Sequence, residues 1–250
     1  MLKYLKPYDI GVKKVRLGPS TPGEHNHGDG GYVTPENILL EASSLVTYGV
    51  AGDIRYEQDF QKKYNKTAYL FDHTVDHPRE PSPGLLFTKE GLGNQPNCKE
   101  FLTHYREHNI KGNVMLKIDI EGGEFDYFSQ TDIAGMSLVT TGLILEVHWL
   151  QEKTNQEKFV TMMERLKEFY VLTHVHGNNW GDTFDYIEKV SGSKFTGYIV
   201  PRVLELTFAN KRFVNYMVPD TQKYPIEGLD LPNNAYPGKV DCNLDFLNDL

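Results

Sequence analysis

Apolar residues alternate with polar ones, or run together, in short stretches of the chain that predict the strands of a sheet. In the clearest stretch Val114, Leu116, Ile118 and Ile120 alternate, and Asp119 stands at its carboxyl end. A period of two residues is typical of a strand. Further strands are predicted over residues 45–50, 68–71, 85–87, 142–147, 171–176 and 203–208.

Helices are predicted between these strands. Apolar residues keep helical spacing over residues 54–64 and 97–108, and again from Phe125 onward. Another helix is predicted behind Thr154, because Thr154 and Glu157 have the spacing of a capping box. Strand and helix alternate repeatedly before two strands follow one another, an order that predicts a mainly parallel α/β sheet with helices on both faces.

One domain is expected over residues 1–250, since a chain of 250 residues is long enough for a single large core. It is divided into an N-terminal segment to about residue 40, a core over residues 41–208 and a C-terminal arm over residues 209–250. The arm is rich in Pro, Asn and Asp, so we expect it to pack over the surface of the core.

The composition of the chain limits which binding partners and which cellular location are expected. The 26 basic residues are outnumbered by 34 acidic ones, the net charge is −8, and no run of Lys or Arg stands out. Nucleic acid, which binds basic surfaces, is therefore not expected as a partner. Cys98 and Cys242 cannot form a disulfide framework, and neither a signal peptide nor a membrane span is predicted. A reducing, cytoplasmic location is expected.

Ionisable residues gather at three predicted strand ends. Asp119 ends one strand, Glu146 and His148 end another, and Asp72 ends a third. Ligands of open α/β sheets bind at the carboxyl ends of the strands, so this pattern indicates an enzyme. For residues 119–124 taken alone, an acidic loop with a glycine turn is the alternative interpretation.

The turn over residues 48–53 is placed to hold a nucleotide-like ligand. Its glycines let the backbone approach a ligand closely, but it contains neither the dinucleotide motif GxGxxG nor the phosphate-binding motif GxxxxGK[ST]. Asp72 follows about 20 residues later, where an acid can accept hydrogen bonds from a ribose. The alternative is that Asp72 caps a helix. An adenosine ligand without a pyrophosphate, such as S-adenosylmethionine, fits both observations.

His148 and His176 are the candidates for a general base, because imidazole can take a hydroxyl proton near neutral pH. We expect His148 to be the base, His176 to be the second candidate and Asp119 to orient the acceptor. A structural hydrogen-bonding role is the alternative for each histidine. Asp119, Glu146 and His148 also suit Mg²⁺ or Mn²⁺, although their spacing does not require a metal.

Residues 176–180 carry candidate groups for a sugar. Asn178 and Asn179 suit hydroxyl recognition, and Trp180 suits stacking on a sugar face. A turn after a strand is the alternative. Glu205 interrupts an apolar run, so it is either a site residue or the structural partner of an arginine.

Four motifs give the chain a resemblance to a known family. They are DGGYV at residues 29–33, YGV at 48–50, FDHT at 71–74 and LKIDIEGGE at 116–124. Together they resemble the FkbM-type methyltransferases, which are class I S-adenosylmethionine-dependent O-methyltransferases. The resemblance extends over about residues 14–208. It implies a Rossmann-like sheet of seven strands with the last strand antiparallel, and a sugar hydroxyl of a glycan or glycoconjugate as acceptor.

The resemblance and the residue patterns together give the expected site. The residues expected to bind the cofactor S-adenosyl-L-methionine are Gly31, Tyr48, Gly49, Val50, Asp53, Glu57, Asp72, His73, Thr74 and Asp119. Those expected to bind the substrate are Glu121, Glu146, His176, Asn178, Asn179, Trp180 and Glu205. The alternatives to a sugar O-methyltransferase are a non-catalytic carbohydrate-binding domain on the same scaffold and an O-methyltransferase of small molecules.

Overall fold

The structure is a computed structural model that describes residues 1–19, 28–51, 53–78, 82–191 and 194–249. Its strands are β1 (Tyr8–Asp9), β2 (Lys14–Leu17), β3 (Tyr32–Pro35), β4 (Ser44–Tyr48), β5 (Thr67–Phe71), β6 (Leu85–Thr88), β7 (Gly91–Leu92), β8 (Cys98–Lys99), β9 (Val114–Ile118), β10 (Thr140–Val147), β11 (Tyr170–Gly177), β12 (Thr183–Ser191), β13 (Lys194–Pro201), β14 (Leu204–Asn210) and β15 (Val218–Pro219). Its α-helices are α1 (Glu36–Glu41), α2 (Arg55–Tyr64), α3 (Phe101–Glu107), α4 (Glu124–Gln130), α5 (Ile133–Leu138) and α6 (Lys153–Leu166).

Seven strands form the central sheet in the order β6-β5-β4-β9-β10-β14-β11. The pairs on the β6 side of β10 are parallel, whereas β14 runs antiparallel to both β10 and β11. The predicted seven-stranded, mostly parallel α/β sheet with an antiparallel last strand is therefore confirmed. The chain reverses its direction of travel across the sheet between β4 and β9, and such a switch point opens a crevice at the strand ends.

Both faces of this sheet are covered, as the apolar strand sequences require. Every residue of β4, β9 and β10 is buried. On one face Leu116 packs in a cluster with Phe128 of α4 and Phe159 of α6. On the other face Met115 packs in a cluster with Phe60 of α2. Helices lie on both faces, as predicted.

The backbones that follow β4 and β9 touch at the switch point. Asp119 donates its backbone N–H to the Tyr48 carbonyl oxygen at 3.0 Å, and Gly49 donates to the Phe71 carbonyl oxygen at 3.0 Å. Gly49 has φ +76°, and a Cβ atom there would lie 1.5 Å from the Asp119 carbonyl oxygen. Only glycine satisfies both constraints. Gly52, part of the same predicted turn, lies outside the described residues.

Two local predictions were wrong. The helix α6 begins at Lys153, with Glu152 as N-cap and no side-chain capping bond, so Thr154 and Glu157 form no capping box. The turn before α6 is held instead by Asn155, whose side chain donates to the Trp149 carbonyl oxygen. The helix predicted over residues 97–108 begins later, because Cys98–Lys99 pairs with Gly91–Leu92 as a short strand.

The arm after β14 runs back over the core. Its strand β15 pairs with β1, and Leu244, Phe246 and Leu247 are buried. The expected division into segment, core and arm stays a prediction. None of the helices in the described part of the chain combines the length and the apolar character that crossing a bilayer needs.

We expect Gly49→Ala to lower the free energy of unfolding by at least about 2 kcal/mol, because alanine is strained at this φ and its methyl group would overlap a backbone oxygen. Urea unfolding measures this loss. Gly197→Ala is the matched control, since a Cβ at Gly197 meets nothing within 4 Å. The control is expected to stay within about 0.5 kcal/mol of the native protein. Equal unfolding free energies for the two variants would contradict the rigid contact between β4 and β9.

Candidate active site

A cavity of about 560 Å³ opens at the carboxyl ends of β4, β9 and β10. Its volume is in the range of small-molecule sites. It is lined by Asp29, Gly30, Tyr32, Gly49, Val50, Ala51, Asp53, Lys117, Asp119, Glu121, Glu146, His148, Trp149, Asn178, Trp180, Gly181, Asp182, Arg202 and Val203. The sheet edge predicted to bind ligands is the edge that carries the cavity.

Asp119, Glu146 and His148 meet in this cavity because β9 and β10 are parallel neighbours. The His148 Nε2 atom lies 3.8 Å from Asp119 Oδ1 and 3.8 Å from Glu146 Oε1. One ligand atom from each of the three residues lies within 4.8 Å of the other two. Exposed Glu121 adds a carboxylate oxygen 3.6 Å from His148 Nε2. The sequence therefore predicted a group of residues that the fold brings together.

Glu124 orients His148 from behind the cavity. This glutamate begins α4, is fully buried and has its Oε1 atom 3.2 Å from His148 Nδ1. The same oxygen accepts the Ile120 backbone N–H at 3.0 Å. Burial opposes the charged imidazolium, but the hydrogen bond and the charge of Glu124, together with the carboxylates of Asp119 and Glu121, raise the pKa of His148 above its ordinary value. His148 thus has one nitrogen fixed and one facing the cavity.

The two carboxylates beside His148 have different surroundings. Glu146 accepts hydrogen bonds from the Tyr32 hydroxyl at 2.9 Å and from Asn178 Nδ2 at 2.8 Å. Burial, reinforced by the charge of Asp119, raises the pKa of Glu146 well above its ordinary value. Burial also raises the pKa of Asp119 to about 7, against the charges of Lys117 and His148. Asp119 Oδ1 is buried without a hydrogen-bond partner among the described residues.

Lys117 is a buried cation that was not predicted from the sequence to be a site residue. Its ammonium group lines the cavity, 3.7 Å from Glu57 Oε1 and 5.0 Å from the centre of the Tyr32 ring. Glu57 was predicted to bind the cofactor, but it is fully buried beneath the cavity, where it accepts a hydrogen bond from the Thr47 hydroxyl at 2.9 Å. A lysine inside an apolar strand was the available signal, since such a charge needs a partner.

Asp72 holds the loop after β4. Its Oδ2 accepts the backbone N–H groups of Val50 and Ala51, each at 3.0 Å. Its Oδ1 accepts the Thr74 backbone N–H at 2.7 Å and the Thr74 hydroxyl at 2.6 Å. Burial opposes the carboxylate, but these hydrogen bonds hold the pKa of Asp72 below its ordinary value. Both oxygens are therefore engaged by protein donors, and the ribose contact stays a prediction.

The other residues predicted to bind cofactor fall into two groups. Gly49, Val50, Asp53 and Asp119 line the cavity, whereas Gly31, Tyr48, His73 and Thr74 are not among the described residues that line it. The Tyr48 hydroxyl lies 3.0 Å from His104 Nδ1 in the core, and the Arg16 guanidinium covers Gly31.

Three residues predicted to bind substrate lie behind the cavity. His176 is buried with its Nδ1 atom 3.0 Å from Glu205 Oε2 and its Nε2 atom 3.0 Å from Asp241 Oδ1. Glu205 therefore pairs with a histidine rather than with an arginine. Asn179 donates to two backbone oxygens of the C-terminal arm. Since both nitrogens of His176 are engaged, the geometry gives it no part in proton transfer.

Both tryptophans of the chain lie at the mouth of the cavity. Trp149 is 50% exposed and Trp180 is 48% exposed, which makes them unusual for large aromatic side chains. Trp180 was predicted from the sequence to belong to the site and Trp149 was not, although Trp149 directly follows Glu146-Val147-His148. Asp182 and Arg202 were not predicted either, because their isolated charges belong to no motif, whereas Asp29 begins the DGGYV motif but was given no site role.

The sequence matches the Methyltransferase FkbM domain over residues 20–177, which is more than half of the chain. The chain belongs to the FkbM methyltransferase family. No curated protein matches the chain. Methyltransferases of this family use S-adenosylmethionine as the methyl donor.

Several solved methyltransferase and RNA-processing structures are distant likenesses of this chain. An rRNA methylase from Streptococcus thermophilus matches with 10% identity and a TM-score of 0.36, over 69% of this chain and 89% of that chain. The precorrin-6y C5,15-methyltransferase from Geobacter metallireducens matches with 9% identity and a TM-score of 0.33, over 70% and 83%. The fibrillarin pre-rRNA processing protein from Methanococcus jannaschii matches with 10% identity and a TM-score of 0.38, over 80% and 88%.

We expect Asp72→Asn in this FkbM methyltransferase to weaken the binding of S-adenosylhomocysteine at least tenfold. The amide cannot accept all four hydrogen bonds, and each bond to a charged group contributes about 1.5–3 kcal/mol. Isothermal titration calorimetry measures the affinity. Asp76→Asn, an exposed acid in the same loop, is the control and should bind natively. If Asp72→Asn bound S-adenosylhomocysteine with native affinity, Asp72 would neither keep the loop in its binding conformation nor bind the ribose.

Proposed function

We propose that this FkbM methyltransferase transfers a methyl group from S-adenosylmethionine to a hydroxyl group of a sugar in a glycan or glycoconjugate. The observation that carries the proposal is His148, whose Nδ1 is held by buried Glu124 while Nε2 faces the cavity. When bound, S-adenosylmethionine supplies a methyl group already activated as a sulfonium. The protein has to align the acceptor with that methyl group and to remove one proton.

The loop after β4 supports binding of the donor in this cavity. Gly49, Val50 and Ala51 line it, and Gly49 presents no side chain, so a ligand can approach the backbone closely. Asp72 fixes the amides of Val50 and Ala51 and thereby keeps the loop in one conformation. The carboxylate of Asp119 in the lining favours a cationic ligand, whereas that of Asp53 is already paired with Arg55.

His148 is the residue proposed to take the hydroxyl proton. Glu124 fixes the ring orientation and stabilises the imidazolium that forms when Nε2 gains a proton. Asp119 and Glu146 lie next to Nε2, where they can orient an acceptor hydroxyl by accepting or donating a hydrogen bond. Their raised pKa values allow a protonated carboxyl, which can donate.

The cavity mouth supports a sugar as the acceptor. Trp149 and Trp180 offer exposed ring faces on which the apolar face of a sugar can lie. Asp29, Glu121 and Asn178 add hydrogen-bonding groups in the same lining. Apolar platforms combined with a few polar groups are typical of sites that bind polar ring compounds.

We expect His148→Ala to lower turnover by about 10²–10⁴-fold, the usual contribution of a positioned base, with little change in cofactor affinity. The native rate should rise with pH, because the base works deprotonated. The midpoint should lie above the ordinary histidine value of about 6.5, since Glu124, Asp119 and Glu121 raise the pKa of His148. Transfer of labelled methyl groups to saccharides measures both effects.

His77→Ala is the control for this variant, because His77 is exposed and outside the cavity lining. It should keep native turnover. Native turnover of His148→Ala would exclude His148 as the base. Methylation of small phenols or carboxylates instead of saccharides would favour the small-molecule alternative. Failure to bind S-adenosylmethionine would favour a non-catalytic carbohydrate-binding domain.

A metal-assisted form of the same reaction is favoured by one observation. Asp119 Oδ1 is a buried carboxylate oxygen with no hydrogen-bond partner among the described residues, and it belongs to a cluster completed by Glu146 and His148. These three residues would hold Mg²⁺ or Mn²⁺, with His148 as a ligand instead of the base. Such an ion makes a bound hydroxyl more acidic. Glu124 would then orient a metal ligand, a common arrangement around histidine ligands.

Chelation separates the two forms. If a metal assists, we expect EDTA to abolish turnover, Mg²⁺ or Mn²⁺ to restore it, and Asp119→Asn to resemble the chelated enzyme. Asp126→Asn, which changes an exposed acid outside the cavity, is the control and should respond to EDTA as the native enzyme does. Full turnover after exhaustive chelation would exclude the metal and leave His148 as the base.

A further inference from the structure

The C-terminal arm makes close contact with one side of the cavity mouth. Pro232 accepts the Gly28 backbone N–H through its carbonyl oxygen at 2.9 Å. Asn233 Nδ2 donates to Asp29 Oδ1 at 3.0 Å, and Asp29 lines the cavity. The packing is tight, because a Cβ atom on Gly28 would lie 2.8 Å from Leu231 Cβ. The arm therefore fixes the segment that carries Asp29.

The same part of the arm also contacts the turn that carries Trp180. Asn179 Nδ2 donates to the Asn234 carbonyl oxygen at 2.8 Å, and Asn179 Oδ1 accepts the Asn234 backbone N–H at 2.6 Å. The Tyr236 ring meets the Trp180 ring edge-to-face, with 6.2 Å between the ring centres and 88° between the planes. Trp180 lines the cavity, so the arm also supports this aromatic platform.

Contacts between two carboxylates of the arm and two buried histidines hold the arm on either side of these contacts. Asp230 Oδ1 lies 2.8 Å from His174 Nε2, and Asp241 Oδ1 lies 3.0 Å from His176 Nε2. Asn233 Nδ2 also donates to Glu205 Oε1 at 2.5 Å. Leaving a buried hydrogen-bonding group without its partner is unfavourable, so these contacts attach the arm to β11 and β14.

We infer that residues 231–236, called the brace below, connect the segment that carries Asp29 to the turn that carries Trp180 and position Asp29 and Trp180 for the acceptor. Asn179, Asn233 and Tyr236 are then positioning residues that act through their neighbours, and the brace contributes to acceptor specificity. The inference rests on the proposed function only in taking the cavity mouth as the acceptor side.

A physical need supports this role for the brace. Trp180 is half exposed and follows a strand end, so its neighbours in the turn leave its ring incompletely packed. A side chain that is already held in its bound orientation loses less entropy when a ligand arrives. The edge-to-face contact with Tyr236 supplies that restraint, and Tyr236 is not among the described residues that line the cavity.

The first test needs neither cofactor nor acceptor. Trp149→Phe leaves Trp180 as the one tryptophan of a chain that has two. In that background we expect Tyr236→Ala to shift the Trp180 emission to longer wavelength and to raise its quenching by acrylamide. Tyr236→Phe keeps the ring and should restore both values. Tyr216→Ala removes a tyrosine that is 54% exposed, compared with 53% for Tyr236, and should change neither value.

The second test uses the native tryptophans and the saccharide that the native enzyme methylates. Tyr236→Ala should raise the KM for this acceptor about two- to tenfold, the equivalent of one aromatic pair. Its affinity for S-adenosylhomocysteine should be native, and Tyr236→Phe should restore KM. Unchanged emission and quenching would overturn the inference, as would an equal loss of cofactor affinity. If no saccharide is methylated, the proposed function fails, while the emission test still decides whether the brace positions Trp180.

Discussion

The contact between the backbones at Gly49 and Asp119 is the constraint on which the site depends. It lies at the switch point of the sheet, where β4 and β9 are parallel neighbours and their following loops diverge. Because no side chain separates the two loops, the segment proposed to hold the donor and the carboxylate proposed to face the acceptor share one wall. The proposed positions of donor and acceptor are therefore adjacent because of this backbone packing.

Charge is the second element of the site. The cavity lining holds more carboxylates than cations, and Lys117 is already balanced by Glu57 beneath it. Burial makes uncompensated carboxylates costly, which is why the pKa values of Asp119 and Glu146 are raised. Any cation that enters this cavity relieves that cost. A sulfonium donor, a protonated His148 and a divalent ion all share this property.

The sequence predicted what depends on local pattern. Period-two alternation and strand–helix order were enough for the sheet and for placing Asp119, Glu146 and His148 at one edge. Contacts between residues far apart in the sequence could not be predicted from such local patterns. The four donors that Asp72 accepts come from two different loops, while the expected ribose contact stays a prediction. Trp149 was not predicted to belong to the site, because its position depends on a turn and a turn leaves no periodic pattern in the sequence. The hairpin of β12 and β13 was also missed.

The contrast between His148 and His176 shows where such prediction ends and what decides function. Both histidines stand at the ends of buried strands, and both contact buried carboxylates. His148 has a strong partner at one nitrogen only, so the other nitrogen faces the cavity. His176 is engaged at both nitrogens, because Asp241 arrives from the C-terminal arm. A histidine with one nitrogen facing the cavity can move a proton, whereas a histidine engaged at both nitrogens attaches the arm to the core. Neither the residue type nor its place at a strand end distinguishes these two roles. The difference depends on Glu124, which lies 24 positions from His148 along the chain, and on Asp241, which lies 65 positions from His176.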